Sequence, residues 1–182
     1  MEYTYGYDSP LGRIFLAADG QALTGLWFEG QKYFAAKLDR DHEEKNLPVF
    51  ERTGEWLDLY FSGKKPDFTP PLTLKGTSFQ REVWEAMLAI SFGQTTTYAE
   101  IAMGIAKNRG LSSMSAQAVG NAVAHNPISL IIPCHRVVGT DGSLTGYAGG
   151  LEKKKWLLAL ERKACYNLEE TKRNRVCTAD EQ

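Results

Sequence analysis

The chain has 182 residues, of which 43% are apolar and 24% charged, enough apolar surface for a packed core and too balanced a composition for global disorder. Its length excludes a disulfide-stapled miniprotein, and no apolar run approaches the ~18 residues of a membrane-spanning helix. The net charge of −1 argues against a polyanionic partner, but residues 98–163 carry eight Lys/Arg against four Asp/Glu while residues 1–97 carry ten against fourteen; that basic stretch either meets phosphates or reflects ordinary variation.

Tyr3, Tyr5 and Tyr7 alternate, as do Ile14 and Leu16, which predicts two strands joined by the turn Asp8-Ser9-Pro10-Leu11-Gly12. Asp19-Gly20 reads as a two-residue hairpin, leading into a third strand over Ala22–Phe28 and completing an antiparallel meander. Helical spacing follows over Lys32–Leu38 and Val49–Phe61. Residues 62–77, with three prolines and two glycines, read as an interdomain linker laid over the surface.

Thr77 with Gln80, and Thr97 with Glu100, fit capping boxes. The first opens an amphipathic helix with Phe79, Val83, Trp84, Met87 and Leu88 on one side, expected to stop near Gly93. The second opens a short helix to about Gly104. A third helix, Ser115–Ala124, turns Ala116, Val119 and Val123 inward and ends at Asn126-Pro127. Residues 128–132 (ISLII) are too short for most helices and predict a buried extended segment. The last helix runs over Leu151–Lys163, and the polar tail 164–182 is expected to fray. The fold class is thus α+β: a small N-terminal antiparallel sheet with helices, then a mainly helical C-terminal part.

Two short helices, the second rich in Ala and Gly, suit either a helix-turn-helix or a plain helical hairpin. Small residues such as Ala118 and Gly120 would let backbone approach a groove. Cys134 follows the apolar run, held by Pro133 and next to His135. Neighbouring residues do not readily share one metal ion, whereas an imidazole can take a proton from a thiol directly or through water. A buried structural cysteine beside a histidine is the competing reading. Arg136 could touch a phosphate, and Lys153–Lys155 read as a solvated face. Three cysteines without Cys-x-x-Cys spacing fit a reducing, cytoplasmic setting, and the opening MEYTYGYDSPLGR does not resemble a secretory signal.

Residues 126–161, NPISLIIPCHRVVGTDGSLTGYAGGLEKKKWLLALE, resemble the O6-alkylguanine-DNA alkyltransferase family. The likeness extends over GTSFQREVWEAMLAISFGQTTTYAEIA (76–102) and AQAVGNAVAHN (116–126). It implies a ribonuclease-H-like scaffold over 1–70 and an alkyltransferase and DNA-binding domain with a helix-turn-helix over 76–163. Cys134 would then accept the alkyl group, His135 would take its proton through water, and Glu161 would orient His135. Asn126 would brace the turn, and Tyr98 would serve the flipped base and a phosphate. Val137 would offer its carbonyl to the base, with Tyr147 and Ala148 lining the cavity. Gln117, Ala118, Gly120 and Arg136 would meet double-stranded DNA from the minor groove.

Gln117 stands where many members carry arginine, which implies weaker DNA binding. The N-terminal part has no cysteine, so no zinc and no cofactor are expected. The protein would act as a monomer with no membrane partner, once per molecule, on O6-alkylguanine, with O4-alkylthymine as a further candidate substrate. The competing functions are a lesion-binding protein without activity, a helix-turn-helix regulator and a cysteine hydrolase.

Overall fold

The structure, a computed structural model, describes the backbone of residues 1–179 and the side chains of residues 1–169. The alternating N-terminal pattern forms β1 (Glu2–Ser9) and β2 (Gly12–Ala18), paired antiparallel with Tyr5 opposite Leu16. β3 (Leu23–Phe28) pairs antiparallel with β2. The β2–β3 connection is a longer turn than the expected two-residue hairpin. Asp19 Oδ1 accepts from the N–H groups of Gln21 and Ala22 at 3.0 and 2.9 Å, closing the turn by a side chain.

The sheet is not a pure meander, because β4 (His42–Glu44) adds in parallel to β1, giving the order β3-β2-β1-β4. Its three exposed polar residues carry no alternation, so nothing in the sequence marks it. The helix expected over Lys32–Leu38 is replaced by successive turns. Tyr33 (φ 59°) and Ala35 (φ 52°) are left-handed, which a right-handed helix does not tolerate. The apolar residues there serve packing instead: Phe34 meets Phe15 edge-on at 5.3 Å.

α1 (Pro48–Phe61) starts on a proline, whose fixed φ suits a first helical turn. Val49, Phe50, Thr53, Trp56, Leu57 and Tyr60 form its buried stripe. The linker is not simply laid over the surface. β3 would end the sheet with an open edge, a liability for any strand. Leu23 N–H donates to Pro71 O at 2.8 Å and Leu23 O accepts from Thr73 N–H at 2.9 Å. Farther along, Leu26 makes the same pair of bonds with Pro127 and Ser129 at 2.8 and 2.9 Å. One strand edge thereby fastens the N-terminal sheet to the segment leading to Cys134.

Both capping boxes form. α2 (Ser78–Leu88) follows Thr77, and α3 (Tyr98–Arg109) follows Thr97 at the end of β5 (Thr96–Thr97). α2 stops at Leu88, short of Gly93, with Val83, Trp84 and Met87 buried. α3 runs past Gly104 and ends at Gly110 in the left-handed conformation (φ 66°). One internal glycine costs only ~1 kcal/mol relative to alanine, and Ile105 and Ala106 are buried beyond it. α4 (Ala116–Ala124) is capped by Ser115 and buries Val119, Ala122 and Val123, whereas Ala116 is exposed. Trp84 Nε1 donates to Ala122 O at 2.9 Å, tying α4 to α2.

Residues 128–132 are buried as expected but not extended. Only Ile128 bridges to Leu26, and the chain then turns tightly, with Leu130 at φ 69° and Ile132 N–H donating to Ile128 O at 3.1 Å. Cys134–Arg136 form a single 3-10 turn, followed by β6 (Val137–Val138), parallel to β5. α5 spans Leu151–Ala179, well past the expected end at Lys163. No glycine or proline interrupts 151–179, and Ala164 is buried. Residues 180–182 of the expected tail lie outside the described part. Ile14, Leu26 and Phe28 of the sheet, Leu57 and Tyr60 of α1, and Trp84, Ile128, Leu130 and Leu157 of the C-terminal part share one core. Among the described residues no helix is long and apolar enough to cross a membrane.

Candidate active site

Asn126 builds the turn that ends in Cys134. It is buried, its Nδ2 donates to Ile132 O at 2.8 Å, and its Oδ1 accepts from Ile128 N–H at 3.0 Å. An amide bridging two backbone groups four residues apart pins the tight 128–132 segment, whose polar backbone would otherwise be buried unpaired. Pro133 (φ −82°) then enters the 3-10 turn that carries Cys134, His135 and Arg136.

Cys134 is only 5% exposed, yet its side chain lines a cavity of about 210 Å³ together with Tyr33, Tyr98, Val123, Tyr147 and Ala148. Burial pushes the thiol up, against the lowering effect of the Asn126 amide, the Lys154 charge and nearby backbone N–H groups. Tyr98 is half-buried and donates to Thr145 O at 3.0 Å. Gly120 of α4 faces the Tyr98 ring at about 3.7 Å measured from where a Cβ would stand, so a methyl group there would sit in ordinary van der Waals contact with that wall. The buried Tyr147 hydroxyl finds no hydrogen-bond partner among the described residues. Burial first, then the charges of Cys134 and Glu161, hold Tyr147 protonated well above its ordinary range.

Behind the thiol, His135 and Glu161 are fully buried, with His135 Nε2 2.7 Å from Glu161 Oε1. Glu161 also accepts from Arg136 Nε at 3.0 Å, Gly93 N–H at 2.9 Å and the Tyr60 hydroxyl at 2.7 Å. Burial alone would raise this carboxyl; the hydrogen bonds and charges of His135 and Arg136 outweigh it and hold it at about 2. His135 is pulled down by burial, partly offset by Glu161. Its Nδ1 is buried without a hydrogen-bond partner among the described residues. The arrangement at rest is a neutral thiol beside a neutral imidazole whose Nε2–H is fixed by a carboxylate. Nδ1 is left as the proton acceptor.

Two expected site residues, Arg136 and Val137, have their polar groups engaged inside the protein. Arg136 does not reach for DNA. It is buried, spans Glu161 and Ile90 O (2.7 Å), and lies over the Phe92 ring at 5.6 Å. A guanidinium flanked by a buried carboxylate is held inside by charge pairing. Val137 is fully buried in β6 rather than on the cavity wall, and its carbonyl accepts from Lys154 Nζ at 2.6 Å. Gln117 is exposed and Ala118 and Gly120 are half-buried on the outer side of α4. They line an open groove that also reaches Tyr98 and Gly139.

Three contributors escaped the sequence reading. Lys154, expected on a solvated face, is fully buried and donates to Val137 O and to the carbonyls of Thr145 and Gly146, both at 3.2 Å. Burial pulls it down to about 8, with the Cys134 charge opposing. Its spacing from Leu157 and Glu161, one and two turns on, was the available signal. Tyr60 comes from the inner stripe of α1. Tyr33, from the turns of the N-terminal region, stacks on His125, the residue that caps the C-terminus of α4, at 4.1 Å and closes one side of the cavity. Among the described residues no three His, Cys, Asp or Glu side chains are grouped to hold a metal ion.

The fold and site define an α+β protein with a buried cysteine thiol at a cavity that opens beside a small-residue helix. A family model described as 6-O-methylguanine DNA methyltransferase, DNA binding domain, matches residues 78–163, and one described as its ribonuclease-like domain matches residues 1–74. A methylated-DNA–protein-cysteine methyltransferase of Haemophilus influenzae is 42% identical over 161 residues, 88% of this chain and 86% of that protein. The O6-methylguanine methyltransferase of Mycobacterium tuberculosis superposes with a TM-score of 0.76 at 40% identity, covering 90% of this chain and 94% of its own. The M. tuberculosis OGT in complex with DNA superposes at 0.74 and 40% identity, covering 90% and 93%. This chain belongs to the 6-O-methylguanine DNA methyltransferase family.

Proposed function

We propose that this protein repairs DNA directly, by moving the alkyl group of an O6-alkylguanine onto Cys134 Sγ, once per molecule. The observation that carries this is the Cys134 thiol at a cavity of guanine-compatible size (about 210 Å³), backed by His135 with a free, buried Nδ1. Residues 1–70 act as the scaffold and 76–163 as the alkyl-transfer and DNA-binding domain, with α3 and α4 as a helix-turn-helix. α4 enters the minor groove of double-stranded DNA through Gln117, Ala118 and Gly120. The lesion leaves the stack, at a cost of a few kcal/mol that is smaller for a poorly paired base. The protein works as a monomer in the cytoplasm.

His135 takes the thiol proton at Nδ1 through an intervening water and becomes an imidazolium against Glu161. The thiolate attacks the alkyl carbon in line; the Sγ–C bond forms as the C–O6 bond breaks. The electron pair goes to the guanine, which takes a proton from the Tyr98 hydroxyl once that hydroxyl exchanges away from Thr145 O; Tyr98 regains a proton from solvent and the His135 imidazolium gives its proton back to solvent, which closes the balance. Tyr147 and Ala148 line the base site. Full ionisation of an ordinary thiol would gain at most about 30-fold, so alignment of sulfur, carbon and oxygen, able to supply ~7–11 kcal/mol, dominates. The thioether product is a poor leaving group, and stoichiometry ends at one.

The test is incubation with an oligonucleotide carrying O6-methylguanine, followed by intact-protein mass spectrometry. The wild type should gain one methyl group on the Cys134 peptide, and Cys134→Ala none. Multiple turnovers, or a protein left unmodified beside a bound lesion, would overturn the reading.

A further inference from the structure

We propose that Tyr60, delivered by α1 of the N-terminal region, is a positioning residue of this site: its hydroxyl shares Glu161 Oε1 with His135 and so sets the basicity of the imidazole that serves Cys134. The inference deepens the function proposed above and rests on it. Tyr60 lies 75 residues from His135 in sequence, yet its hydroxyl is 2.7 Å from Glu161 Oε1 and 3.2 Å from His135 Nε2.

The direction of each bond follows from chemistry. Glu161 is ionised and can only accept, so the Tyr60 hydroxyl donates to it. With that hydrogen used, the Tyr60 oxygen can only accept on the side facing Nε2. Both neighbours of Nε2 are therefore acceptors, which favours the tautomer with hydrogen on Nε2 and the lone pair on Nδ1. Tyr60 stays protonated in this role, because burial and then the Glu161 charge disfavour its phenolate. The ring is locked by packing: parallel to Trp56 at 5.2 Å, edge-on to Phe61 at 5.5 Å and to Phe92 at 6.0 Å. The hydroxyl is thus held by a rigid support from a different part of the chain.

The consequence concerns proton affinity. A donor on Oε1 draws charge away from the carboxylate and weakens its pull on an imidazolium. Removing it should make His135 easier to protonate, and protonated His135 cannot accept the thiol proton. The other ionisable groups around His135 are Glu161 and Lys154 from α5, Arg136 and Cys134 from its own turn, and Tyr147 from the following loop. Of these groups only Glu161 hydrogen-bonds the Tyr60 hydroxyl, so a change at Tyr60 reaches His135 through that carboxylate.

Tyr60→Phe keeps the ring and its stacking and deletes the hydroxyl. Two readouts are compared: the pH dependence of single-turnover transfer from an O6-methylguanine oligonucleotide, and the titration of His135 by 15N NMR in the full-length protein without DNA. The expected result is an acid limb and a His135 titration both moved up by roughly one pH unit, so that the transfer rate on the acid limb falls by about ten-fold at a given pH. A purely structural tyrosine would lower the folded fraction and leave both midpoints in place, which would overturn the proposal. Should the variant not fold, the wild type still decides. A slowly exchanging Tyr60 hydroxyl proton with through-space contact to His135 is expected, and a freely exchanging one refutes it. Failure of the wild type to transfer methyl, with that proton and the His135 tautomer as described, would sink the function and leave Tyr60 in its place.

Discussion

The Lys154 ammonium lies 2.6 Å from the carbonyl of Val137 and reaches across to the carbonyls of Thr145 and Gly146. One cation thereby clamps the strand after the Cys134 turn to the loop that carries Tyr147. It is also a buried positive charge that favours the Cys134 thiolate.

Lys154→Met should therefore move the pH midpoint for alkylation of Cys134 by iodoacetamide upward and slow single-turnover transfer by about ten-fold or more. Mass spectrometry of the Cys134 peptide separates this thiol from the other two cysteines. A clamp without electrostatic effect would leave the midpoint where it is in the wild type.

Acid should weaken the fold in two stages. His135 is held below its ordinary value by burial, so the unfolded chain takes up its proton first and stability begins to fall near pH 6.5. Glu161 sits at about 2. Its contribution, roughly 3 kcal/mol, is complete above the unfolded value near 4.5 and is lost as pH falls toward 2. Glu161→Gln should abolish the lower stage in urea titrations. It should also cost about 3–5 kcal/mol at neutral pH, because Arg136 is left buried without its counter-charge. A wild-type stability that is flat between pH 4.5 and 2.5 would contradict this account.

Gln117 is exposed on the outer side of α4 and brings no charge to the groove. Gln117→Arg should tighten binding to a duplex and steepen the slope of log K against log salt by about 1, as expected for one added phosphate contact. Equal affinity at several salt concentrations would show that this position does not meet DNA. Arg136→Ala should do the opposite of what its sequence position suggests: destabilise the protein while leaving that slope unchanged.

Much of the C-terminal architecture follows from local chemistry. Thr77 with Gln80 and Thr97 with Glu100 mark helix starts because a cap is a bond between residues three apart. The strands around Tyr5 and Leu16 follow from alternation, and the likeness of the residues around Cys134 to a known family implies roles for Cys134, His135, Glu161 and Asn126. What local pattern could not decide is what each charge and each edge would face. β4 and the 71–73 segment gain order only from strands distant in sequence, and the 33–35 turns are left-handed because Phe34 and Tyr33 pack on partners elsewhere. Arg136 and Lys154 look like surface cations in sequence, yet Glu161 and three carbonyls make the interior their lower-energy place. Tyr60 is one more aromatic on the α1 stripe until the sheet and α5 close around it. Burial and partner identity are properties of the assembled fold, since the desolvation of a charge is offset only by groups that tertiary packing brings to it.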